Sequence, residues 1–222
     1  NTFDREAIQF KAVTKIPNTF SANVAAISTY ESASQIITAN FKGKEFASGS
    51  RKIIVENVAM WQKDGKIISF DPNYRHLLFG DKIPSFIKQS MIFLKEADFT
   101  KLSDEEAMLI TETESVEEAT EALLDICPGV FAITLGKEGT LLGLAGKTYI
   151  IPSIPVKPVD TTGAGDAFVG AVLYQLDGLT IQDLDFAAWK KMVENANKAG
   201  ARTCEYLGAM EAFKNLNNSI FN

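Results

Sequence analysis

One seven-residue stretch, Asp160-Thr161-Thr162-Gly163-Ala164-Gly165-Asp166, combines carboxylates with closely spaced glycines. Apolar side chains follow it at helical spacing, so the glycines lie where an extended chain becomes a helix. Backbone N–H groups at such a helix start can converge on one point and bind an anion. Asp166, in the first helical turn, is placed to accept the proton of an attacking hydroxyl group. The stretch therefore predicts an anion site beside a general base, which is the combination that phosphoryl transfer uses.

A simpler interpretation of the same stretch needs no chemistry. Asp166 would complement the helix dipole, and the glycines would only form a tight turn. The residue types alone leave both interpretations open.

The order of the seven residues resembles the C-terminal signature of the ribokinase-like, or PfkB-type, carbohydrate kinases, and fructokinases in particular. The resemblance implies that Asp166 is the catalytic base and that the backbone of Gly163, Ala164 and Gly165 forms the anion hole. It also implies that Asp160 lies near a monovalent cation such as K⁺. ATP, Mg²⁺ and a small sugar are the expected ligands, and the family resemblance also raises the expectation of a homodimer.

Two further segments resemble the nucleotide side of that family. The segment from Thr134 to Gly139 is similar to the strand-end bend that holds nucleotide phosphates and ribose, although a structural turn explains it equally well. Asn197 lies in Ala196–Ala201, which is similar to the helix that lines the adenine pocket, and close helix packing is the alternative. The resemblance implies that ATP binds at five residues: Thr134, Gly136, Glu138, Gly139 and Asn197.

The sugar side is represented by two shorter segments. Asp71-Pro72-Asn73-Tyr74-Arg75 resembles a substrate-binding stretch of fructokinases and ketodeoxygluconate kinases, and it follows a predicted strand, where ligands often bind. A proline turn with a surface arginine is the alternative. Ala22-Asn23-Val24-Ala25 resembles part of a sugar-binding stretch but lacks its paired glycines. The implied substrate-binding residues are Asn23, Asp71, Asn73 and Arg75, together with Asp166.

Glu106 is a candidate for a magnesium site. Its segment, Lys101–Thr111, resembles the family region with an Asn-x-x-Glu motif near magnesium-bound water, and Ser103 stands where the asparagine would be. The resemblance implies that Glu106 acts on the metal through water. Ser103 and Glu106 also have the spacing of a helix capping box, which explains both residues without a metal.

The elements that must position these residues follow an α/β pattern. From about residue 52 onward, strand-like apolar runs alternate with helical segments, which predicts a mostly parallel sheet flanked by helices. The family resemblance implies a small N-terminal lid, which is incomplete in this sequence. Predicted strands cover 67–70, 130–135, 140–144 and 147–151. One predicted helix lies within 81–96, a second begins after the N-cap Ser103, and a third covers 117–124. Two further predicted helices cover the residues after Gly163 as far as Gly178, and 181 to about 201.

Composition excludes several classes of protein. A net charge of −6 over 222 residues argues against nucleic-acid binding, and no apolar run has the length of a membrane span. Cys127 and Cys204 are far apart and in no metal-ligand spacing, which favours a reducing cytoplasm and argues against a disulfide framework.

We expect a single ribokinase-like domain over residues 1–222, with about 1–50 poorly matched or incomplete. Family members are longer, so we expect N-terminal segments to be missing from this sequence, either through truncation or because only ordered residues follow one another in it. The expected activity is ATP-dependent phosphorylation of fructose, with ketodeoxygluconate or another sugar acid as the alternative substrate. A non-catalytic sugar- or nucleotide-binding protein is the alternative from a different class.

Overall fold

A computed structural model describes residues 36–40, 65–74 and 83–216 of the chain. The chain divides into two compact units, the first ending at Phe131 and the second beginning at Ala132. The predicted N-terminal lid and residues 1–35 lie outside the described part. The single-domain assignment stays a prediction.

The first unit contains a parallel arrangement of strands. β1 (Ile36–Asn40) pairs with β2 (Ile67–Asp71), which pairs with β3 (Phe99–Ser103), both in parallel register. Every residue of β2 is buried, as expected of a strand covered on both faces. The helices of this unit are α1 (Ile83–Leu94), α2 (Asp104–Thr111) and α3 (Val116–Ile126).

Side-chain caps define where two of these helices begin. Ser103 and Glu106 form the predicted capping box at the start of α2, with each side chain bonded to the backbone of the other. Ser115 caps α3 by accepting a hydrogen bond from the Glu118 amide. β4 (Val130–Thr134) follows α3 and contains the boundary between the two units.

The second unit contains an antiparallel hairpin. β5 (Gly139–Leu144) and β6 (Lys147–Pro152) pair in antiparallel register around Ala145 and Gly146, both of which have positive φ. A turn of this kind matches the twist of the two strands, so the predicted hairpin is confirmed.

Two long helices complete the second unit: α4 (Ala164–Leu176) and α5 (Phe186–Thr203), followed by the short α6 (Ala212–Asn215). The buried side of α5 includes Trp189, Val193 and Ala196, at the spacing of an amphipathic helix. Gly200 on α5 approaches α4 closely, since a Cβ atom there would lie 3.1 Å from the Ala164 carbonyl oxygen.

The fold agrees with the predicted mostly parallel α/β architecture, with two differences in detail. β3 was not predicted, because its Lys101 interrupts the apolar run. The helix predicted from Ile181 is a short 3₁₀ turn, Ile181–Asp183, and α5 begins only at Phe186. Asp185 sets this start, since its side chain accepts a hydrogen bond from the Ala188 amide.

Candidate functional site

The start of α4 is built differently from the starts of α2, α3 and α5. Those three helices are capped by Ser103, Ser115 and Asp185, whereas α4 has Gly163 at its N-cap with no side-chain hydrogen bond. Gly163 has φ +85°, and a Cβ atom there would lie 2.6 Å from the Cβ of Ala209. Only glycine therefore fits this position without strain. The amides of the first turn are left without a capping side chain, as an anion hole requires.

Asp160 fixes the loop that precedes this helix. Its Oδ1 accepts hydrogen bonds from the Thr162 amide at 2.9 Å and the Thr162 hydroxyl at 2.8 Å, and its Oδ2 accepts one from the Gly208 amide at 2.8 Å. The Thr162 donors, followed by the Gly208 amide, hold the pKa of Asp160 below its ordinary value. Asp160 thus joins two loops, and its predicted contact with a monovalent cation stays a prediction.

Asp166 lies in the first turn of α4 and is exposed. Its carboxylate makes no hydrogen bond or ion pair with the residues that the structure describes, so it is not used to hold the fold together. An exposed carboxylate beside uncapped helix amides is free to meet a substrate hydroxyl group.

A cavity of about 730 Å³ lies in the second unit, next to the start of α4. This volume is in the range of small-molecule sites. The cavity brings together seven of the predicted residues: Thr134, Gly136, Glu138, Gly139, Ala164, Gly165 and Asn197. Its walls also include residues 153–156, Lys137, Pro158, Thr161, Phe168, Gly200, Ala201 and Cys204.

The bend after β4 contributes backbone to this cavity. Gly136 has φ +57° and open space where a side chain would be. Gly139 has φ +117°, and a Cβ atom there would collide with the backbone of Ile151 and Pro152 in β6 and of Ser153 just after it. Glycine is needed at Gly139 by the close approach of β6, so this position has a structural reason apart from any ligand.

Asn197 lines the cavity, and its side chain forms hydrogen bonds with other residues of the protein. Its Oδ1 accepts the Thr140 hydroxyl at 2.6 Å, and its Nδ2 donates to the Ile151 carbonyl oxygen at 2.9 Å and to that of Pro152 at 3.3 Å. These bonds tie α5 to the β5–β6 hairpin. Direct recognition of ATP by its side chain stays a prediction.

The two cysteines are free thiols with different environments. Burial raises the pKa of Cys127 to about 12. Burial and the neighbouring charge of Asp160 also raise the pKa of Cys204, which is only partly buried and contributes to the cavity wall. No spacing in the sequence pointed to Cys204 as a cavity residue.

The first unit contains a second group of polar residues. Glu106 accepts hydrogen bonds from the amides of Tyr74 at 2.6 Å and Ser103 at 2.8 Å. The Lys101 Nζ atom lies 3.7 Å from Asp71 Oδ1 and 3.8 Å from Glu106 Oε2. Lys101 was missed by sequence reasoning, although a charged residue inside an apolar strand is a signal that could have found it.

These contacts bear on the proposed magnesium role of Glu106. Both of its oxygen atoms already accept backbone hydrogen bonds, and an ammonium group lies beside them. Within 65–74 and 83–216 no group of three or more His, Cys, Asp or Glu side chains could hold a metal ion. Glu106 therefore does not fit a direct metal ligand, and action through water stays a prediction.

Two predicted site residues, Asn23 and Arg75, lie outside the described residues. Asp71, Asn73 and Glu106 belong to the first unit and the cavity to the second. Among the helices that the structure describes, none is long and apolar enough to cross a membrane.

The chain is similar to known proteins over most of its length. Residues 9–215 match the model of the pfkB family of carbohydrate kinases. The aminoimidazole riboside kinase of Salmonella typhimurium is 33% identical over 73% of this chain and 50% of its own length. The fructokinase of Klebsiella pneumoniae is 34% identical over 75% of this chain and 54% of its own length. The crystal structure of a fructokinase from Vibrio cholerae O395, in fructose, ADP and calcium ion bound form, superposes with a TM-score of 0.66 at 34% identity, covering 74% of this chain and 53% of that one. The chain thus spans about half the length of the relatives it matches.

Proposed function

Because this chain belongs to the pfkB family of carbohydrate kinases, we propose that it transfers the γ-phosphoryl group of ATP to a sugar hydroxyl group, with fructose as the preferred acceptor. The observation that carries the proposal is the position of the cavity, which shares Ala164 and Gly165 with the uncapped helix start that bears Asp166. A nucleotide in the cavity would therefore have its phosphates near a helix start without a capping side chain and near the free carboxylate of Asp166.

The proposed reaction is an in-line displacement. The acceptor hydroxyl oxygen forms a bond to the γ-phosphorus as the bond from that phosphorus to the β–γ bridging oxygen breaks, and ADP leaves. The Asp166 carboxylate accepts the hydroxyl proton, while the Gly163–Gly165 backbone stabilises the negative charge that develops.

The nucleotide would be held mainly by shape and backbone. We assign ATP contacts to Thr134, Gly136, Glu138 and Gly139, and Asn197 keeps the wall in place through the hairpin. Mg²⁺ bound to the ATP phosphates would neutralise part of their charge. This ion commonly keeps water and phosphate oxygens as ligands and needs few ligands from the protein.

Fructose is favoured as acceptor by the fructokinases among the relatives and structural neighbours, one of which was crystallised with fructose. The similarity to an aminoimidazole riboside kinase makes that riboside the second candidate. Asp71 and Asn73 are the proposed substrate-binding residues in the described part of the chain. A sugar acid such as ketodeoxygluconate is the remaining alternative.

An acceptor assay tests the proposal. Coupled measurement of ADP release should give turnover with fructose well above that with aminoimidazole riboside, ketodeoxygluconate, ribose or adenosine. Preference for the riboside or the sugar acid would reassign the substrate within the family. ATP binding with no turnover on any acceptor would contradict the kinase proposal and favour a non-catalytic binding protein.

Labelling of the cysteines tests the nucleotide site without an acceptor. At pH 8 a maleimide should modify Cys204 much faster than Cys127, because the Cys127 pKa of about 12 leaves almost no thiolate. Saturating MgATP should slow the reaction at Cys204, since the nucleotide would cover the cavity wall. Mass spectrometry of the labelled peptides would measure both rates, and labelling of Cys204 that ATP does not change would place the nucleotide elsewhere.

A further inference from the structure

Lys101 is a buried cation in the middle of a strand. It is only 7% exposed, and its neighbours in β3, Thr100 and Leu102, are buried as well. An ammonium group in such a place is costly unless carboxylates surround it. Its Nζ atom lies within 4 Å of both Asp71 and Glu106, at 3.7 Å and 3.8 Å.

The two carboxylates come from different elements. Asp71 is the last residue of β2, and Glu106 lies in the first turn of α2; each is 5% exposed. Two buried carboxylates repel each other, and the Lys101 charge offsets this repulsion. Lys101 therefore allows Asp71, at the end of β2, and Glu106, at the start of α2, to lie side by side.

Glu106 in turn holds the chain that follows β2. Its Oε1 accepts the Tyr74 amide at 2.6 Å, and the Tyr74 ring packs on Phe86 with ring centroids 5.0 Å apart. Between Asp71 and Tyr74, Asn73 has φ +51°, a left-handed conformation that needs support from its surroundings. The shape of the turn from Asp71 to Tyr74 thus depends on where Glu106 lies.

We propose that Lys101 is a positioning residue for the acceptor side of the reaction. Its ammonium group holds Asp71 and Glu106, and through Glu106 it fixes the turn that carries Asp71 and Asn73. The expected effect of Lys101 on acceptor kinetics rests on the proposed function. The claim that Lys101 holds Asp71 and Glu106 rests only on contacts within the first unit.

The test compares Lys101→Met with Lys101→Arg, which returns the charge. Lys190→Met is the matched control, since Lys190 forms an exposed ion pair with Glu194 on α5. Two measurements are made on each variant: hydrogen exchange of the Tyr74 and Ser103 amides, and the separate KM values for acceptor and ATP. If Lys101→Met does not fold, Lys101→Gln, which keeps an N–H donor without the charge, is measured in its place.

In Lys101→Met we expect faster exchange at both amides and a kcat/KM for the acceptor lowered by up to about 100-fold, because small displacements of positioned groups have effects of this size. The KM for ATP should stay unchanged, Lys101→Arg should recover part of the loss, and Lys190→Met should match the wild type.

Unchanged exchange and unchanged acceptor kinetics in Lys101→Met would overturn the proposal. Faster exchange with unchanged acceptor kinetics would also overturn it, since Lys101 would then serve the fold alone. A wild-type chain that turns over none of the acceptors would refute only the proposed function. Hydrogen exchange of the Tyr74 amide would then test whether Lys101 holds Glu106 in place. Faster exchange in Lys101→Met than in the wild type would support this role, and equal exchange would overturn it.

Discussion

Asp166→Asn is expected to lower kcat by about 10²–10⁴-fold while the fold remains intact, because a positioned general base contributes acceleration of this order. The amide side chain is nearly isosteric with the carboxylate but cannot accept the hydroxyl proton. Asp166 is exposed and bonds to no other described residue, so its loss should not disturb the fold. Steady-state kinetics with ATP and fructose, together with urea unfolding, measure the two effects separately.

A matched control removes the same charge from a comparable place. Glu117 is an exposed carboxylate in the first turn of α3, so Glu117→Gln changes a helix-dipole interaction of the same kind. The control should keep wild-type kcat. Equal activity in Asp166→Asn and Glu117→Gln would mean that Asp166 only complements its helix, and the assignment of the base would then be wrong.

Gly163→Ala should lower kcat by roughly 10²–10³-fold, which is the size of effect seen when an oxyanion donor is lost. The new Cβ atom would overlap Ala209, and its residue would have to keep φ +85°. Relief of both strains requires movement of the first turn of α4, so its amides would no longer converge. We also expect a loss of roughly 2–4 kcal/mol in the free energy of unfolding.

Gly170→Ala is the control for this substitution, because it makes the same chemical change within the same helix. Gly170 is exposed, and a Cβ atom there would meet nothing within 4 Å. That variant should retain activity and gain about 0.5–1 kcal/mol in stability, since alanine is the better helix former. Calorimetry and the kinase assay check both variants. A fully active Gly163→Ala would show that the helix start does not form the anion hole.

The sequence was most informative where local rules decide the structure. The Ser103–Glu106 capping box, the hairpin around Ala145-Gly146 and the glycine start of α4 each depend on a few adjacent residues, and each was predicted. The walls of the cavity were predicted only in part, because they bring together segments far apart in the chain.

The features that the sequence did not predict depend on contacts between residues far apart in the chain. A lysine in the buried strand β3 is explained only by the Asp71 and Glu106 carboxylates that lie beside it in the structure. The bonds of the Asn197 amide to Thr140 and the end of β6 were not predicted either. Partners separated by 46 or 57 positions cannot be identified from spacing alone.

The same long separations tie ligand binding to folding. Residues of the cavity wall come from the β4 bend, from the segment after β6 and from α5, so the cavity exists only after α5 has docked on the hairpin through Asn197. Non-local contacts of this kind stabilise the fold only once the entropy cost of closing long loops has been met. A nucleotide that binds this cavity would select the docked form and stabilise it by mass action. If the cavity binds a nucleotide as proposed, nucleotide concentration would be a thermodynamic control on how completely the second unit is folded.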